Sequence, residues 1–300
     1  MNGIIVIDKP KDFTSFDVVA VMRGIARTKK VGHTGTLDPM ATGVLPLLFG
    51  NATKVQDILP DTDKEYIADF QLGITTDTLD ITGKILSQKV VDVSDKDIEN
   101  ILPLFTGDIL QIPPMYSAVQ VDGKRLYQLA RQGVTVDREK RKVHISKLEL
   151  LSYVPQTHTG RLKIQCSKGT YIRTLIDDIG NMLKCGGTLT ALCRTYACSY
   201  HLKDAISLET AKILARQNQL ESVLKSVEDV FTQYRFVKVS DLQAKRFSNG
   251  GRLDLNRLYF NDFLENEIIR VKTPQNQFLG LGRADLQTQQ LCLYKLFSNV

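Results

Sequence analysis

Strand-like and helix-like segments follow one another along this 300-residue chain without a repeating strand–helix–strand rhythm, and hairpin-length gaps separate several of the strands. Parallel neighbours need long crossovers, so this order predicts an α+β fold: a mixed, mainly antiparallel central sheet flanked by helices. Residues Gly3 to Asp8 read as a short buried strand, ended by Lys9-Pro10 because proline removes a ladder donor. Thr14 or Ser15 then caps a helix whose apolar positions Val18, Val21, Met22 and Ile25 fall at helical spacing. The stretch from Gly32 to Gly50 holds four glycines and two prolines among small polar residues and reads as a structured loop. In Tyr66 to Leu72, the side chains of Tyr66, Ala68, Phe70 and Leu72 share one face, the period of a half-buried strand with Tyr66 at its edge. Ser94 to Phe105 reads as a capped helix, Val143 to Leu151 and Leu162 to Cys166 as strands, and Tyr171 to Leu183 as a helix beginning after Gly169. Leu189 to Ser199 reads as extended and Ser207 to Arg216 as helical.

After Gln233 the texture changes to short apolar runs broken by Ser248-Asn249-Gly250-Gly251 and by Thr273-Pro274-Gln275-Asn276, which predicts a small β-rich module over 235–300 behind a main domain over 1–234. That tail carries ten Lys/Arg against six Asp/Glu, a net of +4 out of the chain's +6, which suits an RNA-gripping appendage. A second basic stretch, about 124–147, holds Lys124, Arg125, Arg131, Arg138, Lys140, Arg141, Lys142 and Lys147 against Asp137 and Glu139. It is either a solvated insertion or one that faces phosphate. The five cysteines are odd in number and follow no CxxC spacing, which fits a reducing compartment. The start MNGIIVIDKP lacks the charge and apolar length of an export signal, and no apolar run approaches the ~20 residues of a membrane span, so a cytoplasmic protein is expected.

The segment Gly32-His33-Thr34-Gly35-Thr36-Leu37-Asp38-Pro39-Met40-Ala41-Thr42-Gly43 packs an acid, an imidazole and three glycines into one stretch. As bare chemistry this suggests a site, although Asp before Pro is equally a common turn starter. Other chemistries find no support. Gly280-Leu281-Gly282-Arg283-Ala284-Asp285 lacks the third glycine of a dinucleotide turn, no GxxxxGK[ST] loop appears, and the HxE and PCxxC elements of a zinc deaminase are absent. His144, His158 and His201 have no ligand spacing.

The glycine-rich segment around Asp38 is similar to the catalytic motif of the TruB family of tRNA pseudouridine synthases, related to the archaeal and eukaryotic dyskerin enzymes. Further matches run in the family's order: Ile5-Val6-Ile7-Asp8-Lys9-Pro10 with Thr14-Ser15, Asp63-Lys64-Glu65-Tyr66, Gln111-Ile112-Pro113-Pro114-Met115-Tyr116-Ser117-Ala118, and Gly169-Thr170-Tyr171-Ile172-Arg173-Thr174-Leu175. The resemblance covers roughly residues 3 to 210, and five motifs in order and spacing make it specific. It implies the pseudouridine synthase fold with a PUA-like C-terminal domain, and isomerisation of uridine 55 in the T loop of tRNA after base flipping. Asp38 would be the catalytic carboxylate, acting at C1′ directly or through a glycal. Arg173 would pair with it, a bidentate guanidinium favouring the ionised acid. Tyr66 would stack on the extruded uracil and relay the C5 proton. Among the residues placed at the substrate, Lys9 would buttress the site by its charge, Leu192 would line it, His33 would fill the gap left in the T loop, and Lys64 would join them in binding. No cofactor or metal is implied, since one N1–C1′ bond is exchanged for one C5–C1′ bond, and the enzyme would act as a monomer on the T arm without a protein partner.

Two departures stand out: Val119-Gln120 where the family commonly shows Leu-Lys, and Leu192-Cys193-Arg194 where it commonly shows Leu-Arg-Arg. Rival readings are a tRNA-folding protein without chemistry and the catalytic subunit of a guide-RNA particle.

Overall fold

The computed structural model describes residues 1–258 and 262–298. Its strands in chain order are β1 (Gly3–Lys9), β2 (Val31–His33), β3 (Thr42–Phe49), β4 (Lys64–Leu72), β5 (Ile74–Thr76), β6 (Ile85–Gln88), β7 (Gly107–Gln111), β8 (Gln120–Val121), β9 (Lys124–Arg125), β10 (Arg141–Val154), β11 (Thr159–Cys166), β12 (Gly187–Ala197) and β13 (Tyr200–His201). The C-terminal part adds β14 (Phe236–Lys238), β15 (Leu253–Asp254), β16 (Ile268–Lys272), β17 (Phe278–Asp285) and β18 (Gln290–Leu296). Helices are α1 (Ser15–Ile25), α2 (Asp95–Ile101), α3 (Leu126–Arg131), α4 (Ile172–Met182), α5 (Leu208–Arg216) and α6 (Asp241–Ser248).

The central sheet runs β1-β3-β12-β4-β11-β10-β7, with β2 also pairing β3 and β13 pairing β12. Its pairs are antiparallel except for a short parallel contact in which Cys193 and Arg194 of β12 meet Thr42 and Gly43 of β3. The expected α+β fold with a mainly antiparallel sheet is therefore the observed one. In β4 the side chains of Tyr66, Ala68, Phe70 and Leu72 are buried and their neighbours are not, and that face joins α2 and α4 in the principal core. On α4, Gly180 packs so closely on Gly187 of β12 that a Cβ on either would press into backbone. The fold thus needs glycine at both, to bring α4 and its first-turn residue Arg173 down onto the sheet.

Two expectations change. The stretch from Gly32 to Gly50 is not all loop: Val31–His33 and Thr42–Phe49 are strands, leaving only the middle irregular. β3 lies inside the sheet, where a continuous apolar run replaces the alternation of a half-exposed strand. The helix capped by Ser94 ends as α-helix at Ile101 and finishes in a 3-10 turn over Leu102–Phe105, where Pro103 removes a backbone donor. Of the basic stretch, Arg141, Lys142 and Lys147 belong to β10, where Lys142 meets Asp108 at 2.8 Å and Lys147 meets Glu149 at 2.7 Å.

The C-terminal strands form a sheet in the order β14-β16-β17-β18-β15 with its own core around Val237, Phe247, Val271 and Leu279. This sheet also shares a second core with the body, in which Leu281 and Phe297 pack with Ile4, Val44 and Phe231. Glu228 fastens the contact by taking Arg270 and Lys272, each at 2.7 Å.

Candidate active site

Asp38 sits in the irregular stretch between β2 and β3, and side chains from distant parts of the chain hold that stretch in place. Ser15, buried at the start of α1, donates to the Leu37 carbonyl (3.2 Å) and accepts from the Leu37 N–H (2.8 Å). The Asp12 N–H donates to the Pro39 carbonyl at 2.8 Å. The Ala41 N–H donates to the Asp38 carbonyl at 3.1 Å, so Asp38-Pro39 does open a turn, and the turn and site readings of this dipeptide are one feature. At the end of the stretch, Gly43 has φ +102° and abuts the Arg194 backbone so closely that a Cβ would collide with it.

Arg194 is fully buried on β12 and spends its guanidinium on this loop: Nε donates to the Val44 carbonyl at 2.8 Å, one terminal nitrogen to Gly35 at 3.1 Å and the other to Thr36 at 3.4 Å. Sequence reasoning passed over it. The available signal was an arginine following Leu192 and Cys193 within a strand, placed to satisfy carbonyls of a loop without its own ladder.

The expected pair of Asp38 and Arg173 is present, with Arg173 Nε 2.9 Å from Asp38 Oδ2. It is not bidentate. The two terminal nitrogens of Arg173 donate to the Thr78 carbonyl at 3.0 Å and the Tyr116 carbonyl at 2.8 Å, and one also stands 3.7 Å from Asp80 Oδ2. Arg173 is buried, and so is Asp80, whose Oδ1 accepts from Thr78 Oγ1 (2.8 Å) and the Thr82 N–H (3.0 Å). The Asp38 side chain is 37% exposed, and its Oδ1 has no hydrogen-bond partner among the described residues. One carboxylate oxygen is therefore held and the other presented. Asp80 was missed because a Thr/Asp-rich hairpin reads as an ordinary turn.

Tyr66 is buried in the core shared with Leu37, Met40 and Leu192. Burial raises its phenol to about 12, so it is neutral at physiological pH, and it can pass on a proton only by accepting another. Leu192 also lines, with Met40 and Thr42, a cavity of about 350 Å³ beside the loop.

The other three expected binding residues lie around the same loop and strands. Lys9 is fully buried, with its ammonium donating to the carbonyls of Pro10 (2.8 Å), Phe13 (2.6 Å) and Pro39 (3.2 Å). It braces the residue after Asp38, and burial lowers its pKa to about 8 against the pull of Asp38. His33 lies on β2 with its Nδ1 buried and unpartnered, and burial, then Arg194, lower its pKa. Lys64 donates to the Thr62 carbonyl at 3.1 Å, its pKa lowered first by burial and then by Arg194.

The basic stretch is tied to the same centre. The N–H groups of Leu126 and Tyr127 on α3 donate to the carbonyls of Val119 (2.8 Å) and Ser117 (3.1 Å), next to the Tyr116 carbonyl that Arg173 holds. Among the described residues no three His, Cys, Asp or Glu side chains converge as a metal site, and no helix is long and apolar enough to cross a membrane.

Residues 23–172 match the N-terminal domain of the TruB family of pseudouridylate synthases, and residues 173–232 match the tRNA pseudouridylate synthase B C-terminal domain. The chain is 40% identical over 285 residues to a tRNA pseudouridine synthase B of Clostridium tetani, covering 94% of this chain and 96% of the relative. It is 42% identical over 283 residues to the protein of the same name from Clostridium acetobutylicum, covering 94% and 95%. In fold it is similar to a chain in the crystal structure of a Cbf5-Nop10-Gar1 complex, with TM-score 0.74 at 24% identity over 99% of this chain and 85% of the other.

Proposed function

The chain belongs to the TruB family of pseudouridylate synthases, and on that premise we propose that it isomerises uridine 55 in the T loop of tRNA, with Asp38 as the residue on which the chemistry turns. That the protein is an enzyme converting uridine in tRNA to pseudouridine follows from the family and from relatives that match it nearly end to end. The position and the residue roles are our reading, and the observation that carries it is the half-exposed Asp38 carboxylate held by one oxygen against a buried arginine.

Base flipping brings the ribose of the target against Asp38 Oδ1, while Tyr66 lies under the extruded uracil. The N1–C1′ bond breaks with Asp38 serving at the sugar, by attack on C1′ or on the way to a glycal. The uracil turns, the C5–C1′ bond forms, the C5 proton leaves and N1 takes one up, so atoms and electrons balance without an oxidant or reductant. Arg173 keeps the carboxylate in place, and its hold on Tyr116 couples that placement to the 116–131 segment, where Lys124 and Arg131 make no ion pair among the described residues and are available to phosphate. The sheet formed by β14 to β18 is proposed as a PUA-like second RNA-binding unit, and the reducing cytoplasm as the site of action, in keeping with five free cysteines.

The test is an unmodified tRNA transcript carrying tritium at uracil C5, mixed with the purified protein alone. We expect about one tritium released per tRNA, and none when position 55 is changed to cytidine. Release that persists in the changed transcript refutes the position; tight binding with no release supports a folding protein instead, and release only on adding a guide RNA supports a particle subunit.

A further inference from the structure

We propose that the outer face of α1, from Phe16 to a basic cavity at the helix's far end, is a second contact surface for the RNA substrate. Phe16 stacks on a nucleobase, and Arg27, Lys212 and Arg216 hold backbone phosphate. This rests on the reading that the substrate is tRNA.

Ser15 binds the backbone next to Asp38, and the following residue, Phe16, is 63% exposed. The helix does not bury it because Ser15, Val18, Val19 and Met22 form the inward face. The phenyl ring is thus left in water, one residue on from the Ser15 that holds the loop carrying Asp38. Its orientation is set by Arg23, whose guanidinium carbon lies 5.7 Å from the ring centroid while a terminal nitrogen donates to the Val31 carbonyl at 3.0 Å.

Further along the same exposed face come Ala20 and Gly24, and a Cβ on Gly24 would meet nothing within 4 Å. The path is open. About 16 Å from the helix start, by the rise of an 11-residue helix, a cavity of about 520 Å³ opens between the ends of α1 and α5. Its lining includes Arg27, Lys212 and Arg216 against the single acid Glu221. Arg27 and Arg216 make no ion pair among the described residues, and Lys212 has only Glu209 at 3.4 Å. Asp17, the acid next to Phe16, is engaged in the Thr14 capping box. Cations in the last turn do complement a helix dipole, which accounts for Arg216 but not for a cavity, a clear path and an exposed aromatic in line with them. An aromatic at the reacting end and unpaired cations at the other suit a polyanion carrying bases.

The experiment uses the full chain and the tritiated tRNA transcript, with Phe16→Ala, Phe16→Tyr and the double variant Arg27→Gln/Arg216→Gln. All three positions are exposed, so the fold is retained. Phe16→Ala should raise Kd and KM roughly ten-fold, the scale of one lost base stack, and Phe16→Tyr should restore both. The double variant should raise Kd several-fold and flatten the slope of log affinity against log salt by about 1.5, the counterions of two phosphates. Wild-type Kd and salt slope in both Phe16→Ala and the double variant, with normal tritium release by the wild type, would overturn this surface alone. A wild type that binds tRNA but releases nothing, with binding still weakened in the variants, would overturn the proposed reaction and leave the surface standing.

Discussion

Arg173 shows how one side chain can brace the fold and hold the proposed catalytic carboxylate at once. Its terminal nitrogens close off two carbonyls from separate loops, and Nε alone is left for Asp38. Arg173→Lys keeps the charge, yet a single ammonium cannot reach Thr78, Tyr116 and Asp38 together. Turnover of that variant should fall on the order of a hundred-fold, the cost of a misplaced reacting group, with KM for tRNA little changed; a variant of wild-type rate would show that the fork is dispensable. Arg173→Ala should in addition lose about 3–5 kcal/mol in urea unfolding, because Asp80 is left buried without its cation. At this scale the sequence was read best where the family's motifs run. The pairing of Asp38 with Arg173 and the place of Tyr66 on β4 were legible through resemblance, whereas Arg194, whose partners are backbone carbonyls, and Asp80, whose partner Arg173 lies on α4, leave almost no trace in local pattern.

Among the elements, α4 carries an unused titratable pair. Burial first, and then Asp177 beside it, raise Asp178 from 3.8 to about 6 against the opposing charge of Lys140. A folded-state pKa above the unfolded one means that the fold holds its proton longer, so stability falls as pH rises from about 4 to 6 and is level above that. The full shift corresponds to about 3 kcal/mol, and partial exposure reduces it to about 1. Asp178→Asn should thus be more stable than wild type by about 1 kcal/mol at pH 7 and indistinguishable from it near pH 3.5; equal stability at both pH values would contradict the burial argument. Elements with one clean period, β4 and the capped α1, could be read from sequence alone. β3 could not, since a glycine-rich entry, Pro46 and an apolar run buried on both faces hide the alternation by which a strand is recognised.

Over the whole molecule, the C-terminal sheet is bound to the body through a shared core and the Glu228 contact. Removing residues beyond 235 would uncover Phe231 and its neighbours, so truncation confounds RNA binding with stability. Glu228→Gln is the cleaner perturbation: it leaves Arg270 and Lys272, both largely buried, without their shared anion. We expect a loss of about 3 kcal/mol and faster amide exchange in β14 and β16, with the central sheet protected as before; unchanged exchange would mean that apolar packing alone holds the sheet.

The account as a whole depends on Asp38 acting at the sugar while adding little to RNA affinity. Asp38→Asn, nearly isosteric and partly exposed, should fold and bind unmodified tRNA within about three-fold of wild-type Kd, since phosphate contacts dominate affinity. In single-turnover reactions at saturating enzyme it should release no tritium from uracil C5. Release at a measurable fraction of the wild-type rate would contradict the account.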